Sequence, residues 1–173
     1  MRRILLLLAS AAVLTLPAAG VARAQSHRAP GYLVVRDAFS DGGVTGRPVA
    51  TVAVKGFVIG HIAQEGAVEM YHFNSGTGSL AQVAGGVVSR KAVSYHGRPG
   101  TKFSGSDFGF RGVSGVWRVV VYGAGVSLYV GGEGVAHLHG SVSYPKTDGV
   151  YSFNGGRFAS MPRGVVTRRF GNK

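Results

Sequence analysis

His137-Leu138-His139 is the stretch whose residue types and spacing come nearest to chemistry in this chain. On a strand, residues i and i+2 project from one face, so two imidazoles placed there can share a divalent ion at about 2.1 Å per Zn–N bond. A metal site needs further ligands, which only the tertiary arrangement of Glu133, His61, His72 or His96 could bring in. The competing expectation for the pair is two solvent-facing histidines on the polar side of a strand.

Gly131, five intervening residues and His-x-His resemble the opening of the first cupin motif. The resemblance implies a secreted metal-dependent enzyme with a divalent metal at His137 and His139. In that family a Glu a few residues further on and a His from a second motif complete the metal site. Here Ser143 and Tyr144 stand at the Glu positions and no second motif follows, so the resemblance spans nine residues.

Other catalytic patterns are absent from the sequence. Its only carboxylates are Asp37, Asp41, Glu65, Glu69, Asp107, Glu133 and Asp148, and none is spaced as a marked glycosidase pair. There is no G-x-S-x-G, no cysteine and no phosphate-cradling G-x-x-x-x-G-K. A non-enzymatic binding role with no cofactor is therefore the leading expectation, ahead of the metal-dependent enzyme.

Charge points to the class of partner. Nineteen Lys and Arg face seven Asp and Glu, a formal charge of +12. Removal of a leader carrying Arg2, Arg3 and Arg23 leaves 12 − 3 = +9. Such a field favours anionic envelope polymers, acidic lipid surfaces or nucleic acid. Two groups are candidate contacts. The segment TKFSGSDFGFRG clusters Phe103, Phe108 and Phe110 with Lys102 and Arg111, as a loop able to stack on a sugar or base. The C-terminal stretch with Arg163, Arg168 and Arg169 is the densest basic region.

These side chains must be positioned by a sheet. Residues 1–24 read as a secretory signal: a positive start, an apolar run from Ile4 to Ala22 and an A-x-A site ending at Ala24. Residues 25–173 then form one exported domain, with Gln25 to Gly31 as a loose arm and no second apolar stretch long enough for a membrane-spanning helix. Without cysteine, burial and hydrogen bonding must supply the stability. Twenty-nine glycines punctuate Val-rich runs with no triplet period, which reads as turns and bulges of an all-β protein. Eleven short apolar runs between Tyr32 and Arg168 predict an antiparallel sandwich or small barrel. Most are shorter than the ~9 to 11 residues of a membrane-barrel strand.

Residues 51–90 and 118–168 also align with each other. Val52, Val54 and Gly56 match Val119, Val121 and Gly123, and YHFNSG at Tyr71 matches YSFNGG at Tyr151. This predicts a duplicated β unit, with Asn74 and Asn154 in left-handed turns.

Overall fold

A computed structural model describes residues 31–73, 81–143 and 148–171. The expected leader at residues 1–24, the expected arm up to residue 30, Asn74 and Tyr144 lie outside the described residues, and Gly31, expected in the arm, opens β1. Among the described residues, nine antiparallel strands form the fold: β1 (Gly31–Ala38), β2 (Ala50–His72), β3 (Gln82–Ala84), β4 (Val88–Tyr95), β5 (Arg98–Gly123), β6 (Val126–Leu138), β7 (Val150–Phe153), β8 (Ala159–Ser160) and β9 (Val166–Phe170). No described helix is long and apolar enough to cross a membrane.

Two strands are far longer than the usual 5–6 residues: β2 has 23 and β5 has 26. Both bend, and the pairing register shows where. The last part of β2, from Gly66 to Tyr71, pairs with Gly100–Gly105 at the start of β5 and also with Arg118–Gly123 at its end. The β2–β5 ribbon is therefore folded back on itself. One layer runs in the order β4, start of β5, end of β2, end of β5, start of β2, end of β6, β9. A second runs β3, middle of β5, middle of β2, start of β6, β1, β7, β8. This is a sandwich-like sheet with open edges, and it is not closed into a barrel.

Glycines set the bends and the close approaches. Gly66 and Gly123 are register partners at the fold of the ribbon, each occupying the space that a Cβ on the other would need. Gly123 also has φ +121°, a region essentially reserved for glycine. Elsewhere an aromatic ring covers a glycine directly across the ladder: Phe110 over Gly60, Tyr71 over Gly100 and Phe57 over Gly131. The missing side chain is replaced by the partner's ring, which preserves packing density. Asn154 adopts φ 51°, the left-handed turn its sequence context predicts.

Between the layers lies a core of Leu33, Val52, Val58, Ile62, Val68, Phe103, Phe108, Phe110, Trp117, Val119, Leu128 and Leu138, with Met161 and Phe170 closing one end. The open edges are guarded. The β3 and β8 edges are three and two residues long. On β4 and β9, Arg90 and Arg168 take core-side parity, opposite Phe103 and Ala136, yet remain exposed. A charge at that parity blocks further strand addition.

The two halves of the sequence match are laid out differently. Thr51 to His72 lie in one continuous strand, whereas Arg118 opens the last stretch of β5, which a hairpin at Gly123 to Gly125 connects to β6. β4 pairs with β5, while β9 pairs with β6. Strand pairing gives the duplication no support.

Candidate functional site

The outward face of the first layer gathers six of the thirteen Lys and Arg among the described residues. Because residues directly opposite in an antiparallel ladder share a face, the register can be read as rows across the sheet. One row is Lys91, Lys102, Glu69, Val120, Thr51, His137 and Thr167. The next is Val93, Gly100, Tyr71, Arg118, Ala53, Val135 and Arg169. A third holds Tyr95, Arg98, Val116, Lys55 and Glu133. Lys55, Lys91, Arg98, Lys102, Arg118 and Arg169 thus share this face with two carboxylates, Glu69 and Glu133.

Aromatic rings hold several of these cations in place. Arg118 lies 3.8 Å from the Tyr95 centroid and 5.5 Å from that of Tyr71. Lys102 stands 5.0 Å from the Tyr122 ring and Arg98 5.8 Å from Phe73. Cation–π contacts of this kind are worth roughly 0.5–1 kcal/mol at exposed sites. Lys102 also pairs with Glu69 at 3.5 Å, and Glu69 accepts a 2.9 Å hydrogen bond from the Tyr71 hydroxyl. Burial first, and then the bond to Glu69, push the Tyr71 phenol up to about 12, so it stays a neutral donor. Between Phe73, Tyr95, Arg118, Thr51 and His137 the face is indented by a groove of about 460 Å³.

The residues singled out in the sequence scatter over this frame. TKFSGSDFGFRG is part of β5 rather than a loop, and strand alternation divides its cluster between two faces. Phe103, Phe108 and Phe110 are 3%, 0% and 2% exposed in the core, so they cannot stack on a ligand at the surface. Of the five, Lys102 alone belongs to the cationic face. Arg111 lies on the outer side of the second layer, bonded to Gln82 Oε1 at 2.6 Å. Arg169 joins the cationic face, Arg168 sits at the β9 edge and Arg163 is exposed in the preceding loop.

His137 and His139 both border one small cavity of about 180 Å³ but differ in exposure and partners. β6 ends at Leu138, the His139 N–H still donates to Val49 O at 2.9 Å, and from Gly140, whose N–H donates to Pro162 O, the chain leaves the ladder. His137 is exposed, its Nδ1 2.8 Å from Thr167 Oγ1, while His139 is buried, its Nε2 3.5 Å from the Arg47 guanidinium. No group of three metal-ligating side chains occurs among the described residues. A guanidinium beside one imidazole also opposes a cation there.

Just beyond, two carboxylates pin the segment after His139 to the loop after β1. Asp148 accepts the N–H groups of Phe39, at 2.9 Å, and Ser141. Asp41 accepts the Ser141 hydroxyl at 2.5 Å and the Val142 N–H at 2.7 Å. Those bonds hold Asp41 down at about 2, whereas burial raises Asp148. Both carboxylates are committed to holding backbone in place.

Sequence reasoning passed over Lys55, Lys91, Arg98 and Arg118, because they are scattered over 64 positions (118 − 55 = 63 apart) and meet only through the folded ribbon. One signal was legible: Arg98, Gly100 and Lys102 alternate with Pro99, Thr101 and Phe103, a strand parity hidden by the Gly-Ser composition. Comparison with protein-family models, curated proteins and solved structures finds no match for this chain.

Proposed function

We propose that this is an exported, non-enzymatic binding protein that uses the outward face of its first layer to engage an anionic polymer of the cell envelope. One observation carries the reading: six cations, several stacked on Tyr71, Tyr95, Phe73 and Tyr122, share one sheet face with two carboxylates. Cations draw in a polyanion along its length, and the part-exposed rings of Phe73, Tyr95 and Tyr122 add sequence-tolerant contact with sugars or bases, while buried Tyr71 holds Arg118 from beneath.

The test separates this face from net charge. Full-length secreted protein is retained on an immobilised sulfated polysaccharide and eluted with salt. The variant K55Q/K91Q/R169Q removes three exposed charges from the proposed face, and R36Q/R111Q/R157Q removes three exposed charges elsewhere. The proposal expects much earlier elution for the first and a small shift for the second. Equal shifts would reduce the interaction to bulk charge.

Export rests on the leader-like residues 1–24. Mass spectrometry of the secreted protein is expected to place its first residue at Gln25, and retention of residues 1–24 would oppose the assignment.

A further inference from the structure

We infer that the groove beside Tyr129, on the outward face of the second layer, binds one neutral pyranose unit of a glycan. β1 and β6 build it. Between the pairs Val35–Leu128 and Ala38–Val126, two residues of β1, Arg36 and Asp37, stand opposite a single residue of β6, Ser127. Such a bulge re-aims side chains, and bulges concentrate beside functional sites. Asp37 takes φ 52°, a left-handed conformation that only a few per cent of non-glycine residues adopt. The groove at this bulge measures about 310 Å³ and is lined by Val34, Arg36, Asp37, Ser127 and Tyr129 among others. That is the lower end of the roughly 300–1,000 Å³ of small-molecule sites, and it suits a single ring.

The groups around it match a sugar. Tyr129 is 44% exposed and is steadied by Phe57 and Tyr32, whose ring centroids lie 5.5 and 6.1 Å from its own. A pyranose with equatorial hydroxyls presents C–H groups on its flat faces, which pack against the negative face of an aromatic ring. Its hydroxyls project from the edge as both donors and acceptors. At the bulge the exposed Asp37 carboxylate offers acceptors, and among the described residues it bonds to no other group. Arg36 offers donors, its guanidinium carbon held 4.8 Å from the Phe158 ring centroid. Ser127 adds a hydroxyl. The lining carries one cation and one carboxylate, so a neutral ring edged with hydroxyls is its complement, in contrast to the polyanion suited to the first layer.

The site lies on the other layer and does not depend on the polymer reading. It is tested by titrating the secreted protein with cellotetraose and chitotetraose, two neutral tetramers with equatorial substituents, and with mannitol as an open-chain control. Calorimetry and the NMR signals of the tyrosine rings report binding. The inference expects saturable binding of at least one tetramer with a Kd below about 1 mM, a shift of the Tyr129 signal, and no such response to mannitol. Because the ligand is neutral, added salt should leave this binding nearly unchanged, unlike retention on a polyanion. Y129A should weaken it at least about tenfold, and Y129F, which keeps the ring, should retain most of it. D37N should weaken it about three- to tenfold, since asparagine tolerates the left-handed φ while the charge-assisted bonds are lost. K55Q/K91Q/R169Q should bind the tetramers like wild type. Melting curves check the fold of each variant, and D37N decides if Y129A melts early. Absence of saturable binding by both tetramers, an equal response to mannitol, or affinity unchanged in D37N overturns the inference.

Discussion

Arg118 at the end of β5 stacks on Tyr95 of β4 across the two strand segments between them, the start of β5 and the end of β2, its guanidinium carbon 3.8 Å from the ring centroid. Tyr71, the register partner of Arg118, supplies the second ring and lies 5.7 Å from Tyr95. The stack ties β4 to both arms of the folded ribbon. It also fixes a guanidinium that would otherwise sample many rotamers, which lowers the entropic cost of meeting an anion.

The first expectation follows from that stack. R118Q should weaken polymer binding roughly three- to tenfold and lower stability by about 0.5–1 kcal/mol. R118K keeps the charge without the planar surface and should fall between the two. Fluorescence anisotropy with a labelled anionic oligosaccharide, alongside thermal melts, measures both effects. Unchanged affinity in R118Q would remove Arg118 from the interface.

Substitutions among the phenylalanines of β5 should act on folding. F108A empties a fully buried site, which costs about 3–5 kcal/mol and should lower the melting temperature by more than about 10 °C. F110A also uncovers Gly60 and should behave alike. A variant that loses binding but melts like wild type would return these rings to the ligand.

This outcome shows what the sequence made legible. The all-β class and most strand positions follow from Val-rich runs and Gly punctuation, as in Val116–Tyr122 and Val126–Val130. The ribbon fold does not, because pairing Gly66 with both Gly105 and Gly123 is a non-local relationship that no local pattern encodes. Parity carried Lys102 and Phe103 to opposite faces once their segment was a strand. The His-x-His spacing did not reveal that Arg47 would stand 3.5 Å from His139 Nε2, a cation where a metal ion was expected. The positive charge was plain from composition, and the grouping of six cations on one face needed the register.

Acid should loosen the contact between the loop after β1 and the segment after His139. The Asp41 carboxyl sits at about 2 in the fold, held by the Ser141 hydroxyl and then the Val142 N–H, against an ordinary value of 3.8. A lowered folded value stabilises above the ordinary one, so this contribution is present above about pH 4 and is lost as pH falls through 2. Asp148 is raised by burial, which works in the opposite sense and favours the fold as it protonates. In D41N the loss of stability between pH 4 and 2 should flatten, and stability at pH 7 should fall by about 1 kcal/mol for the weakened hydrogen bonds. Denaturant midpoints across that range measure it. An unchanged pH profile would detach Asp41 from the acid response.

The salt dependence of polymer binding tests the central claim most directly. For a polyanion, log K falls with log salt in proportion to the contacts that release counterions, about 0.7 to 0.9 per contact. Wild type is expected to show a steep slope, and K55Q/K91Q/R169Q a slope shallower by about 2–3, with affinity near physiological salt reduced roughly 10- to 100-fold. R36Q/R111Q/R157Q should keep the wild-type slope. A slope near zero in wild type, or the same loss of slope in both triple variants, would contradict the assignment of binding to the outward face of the first layer.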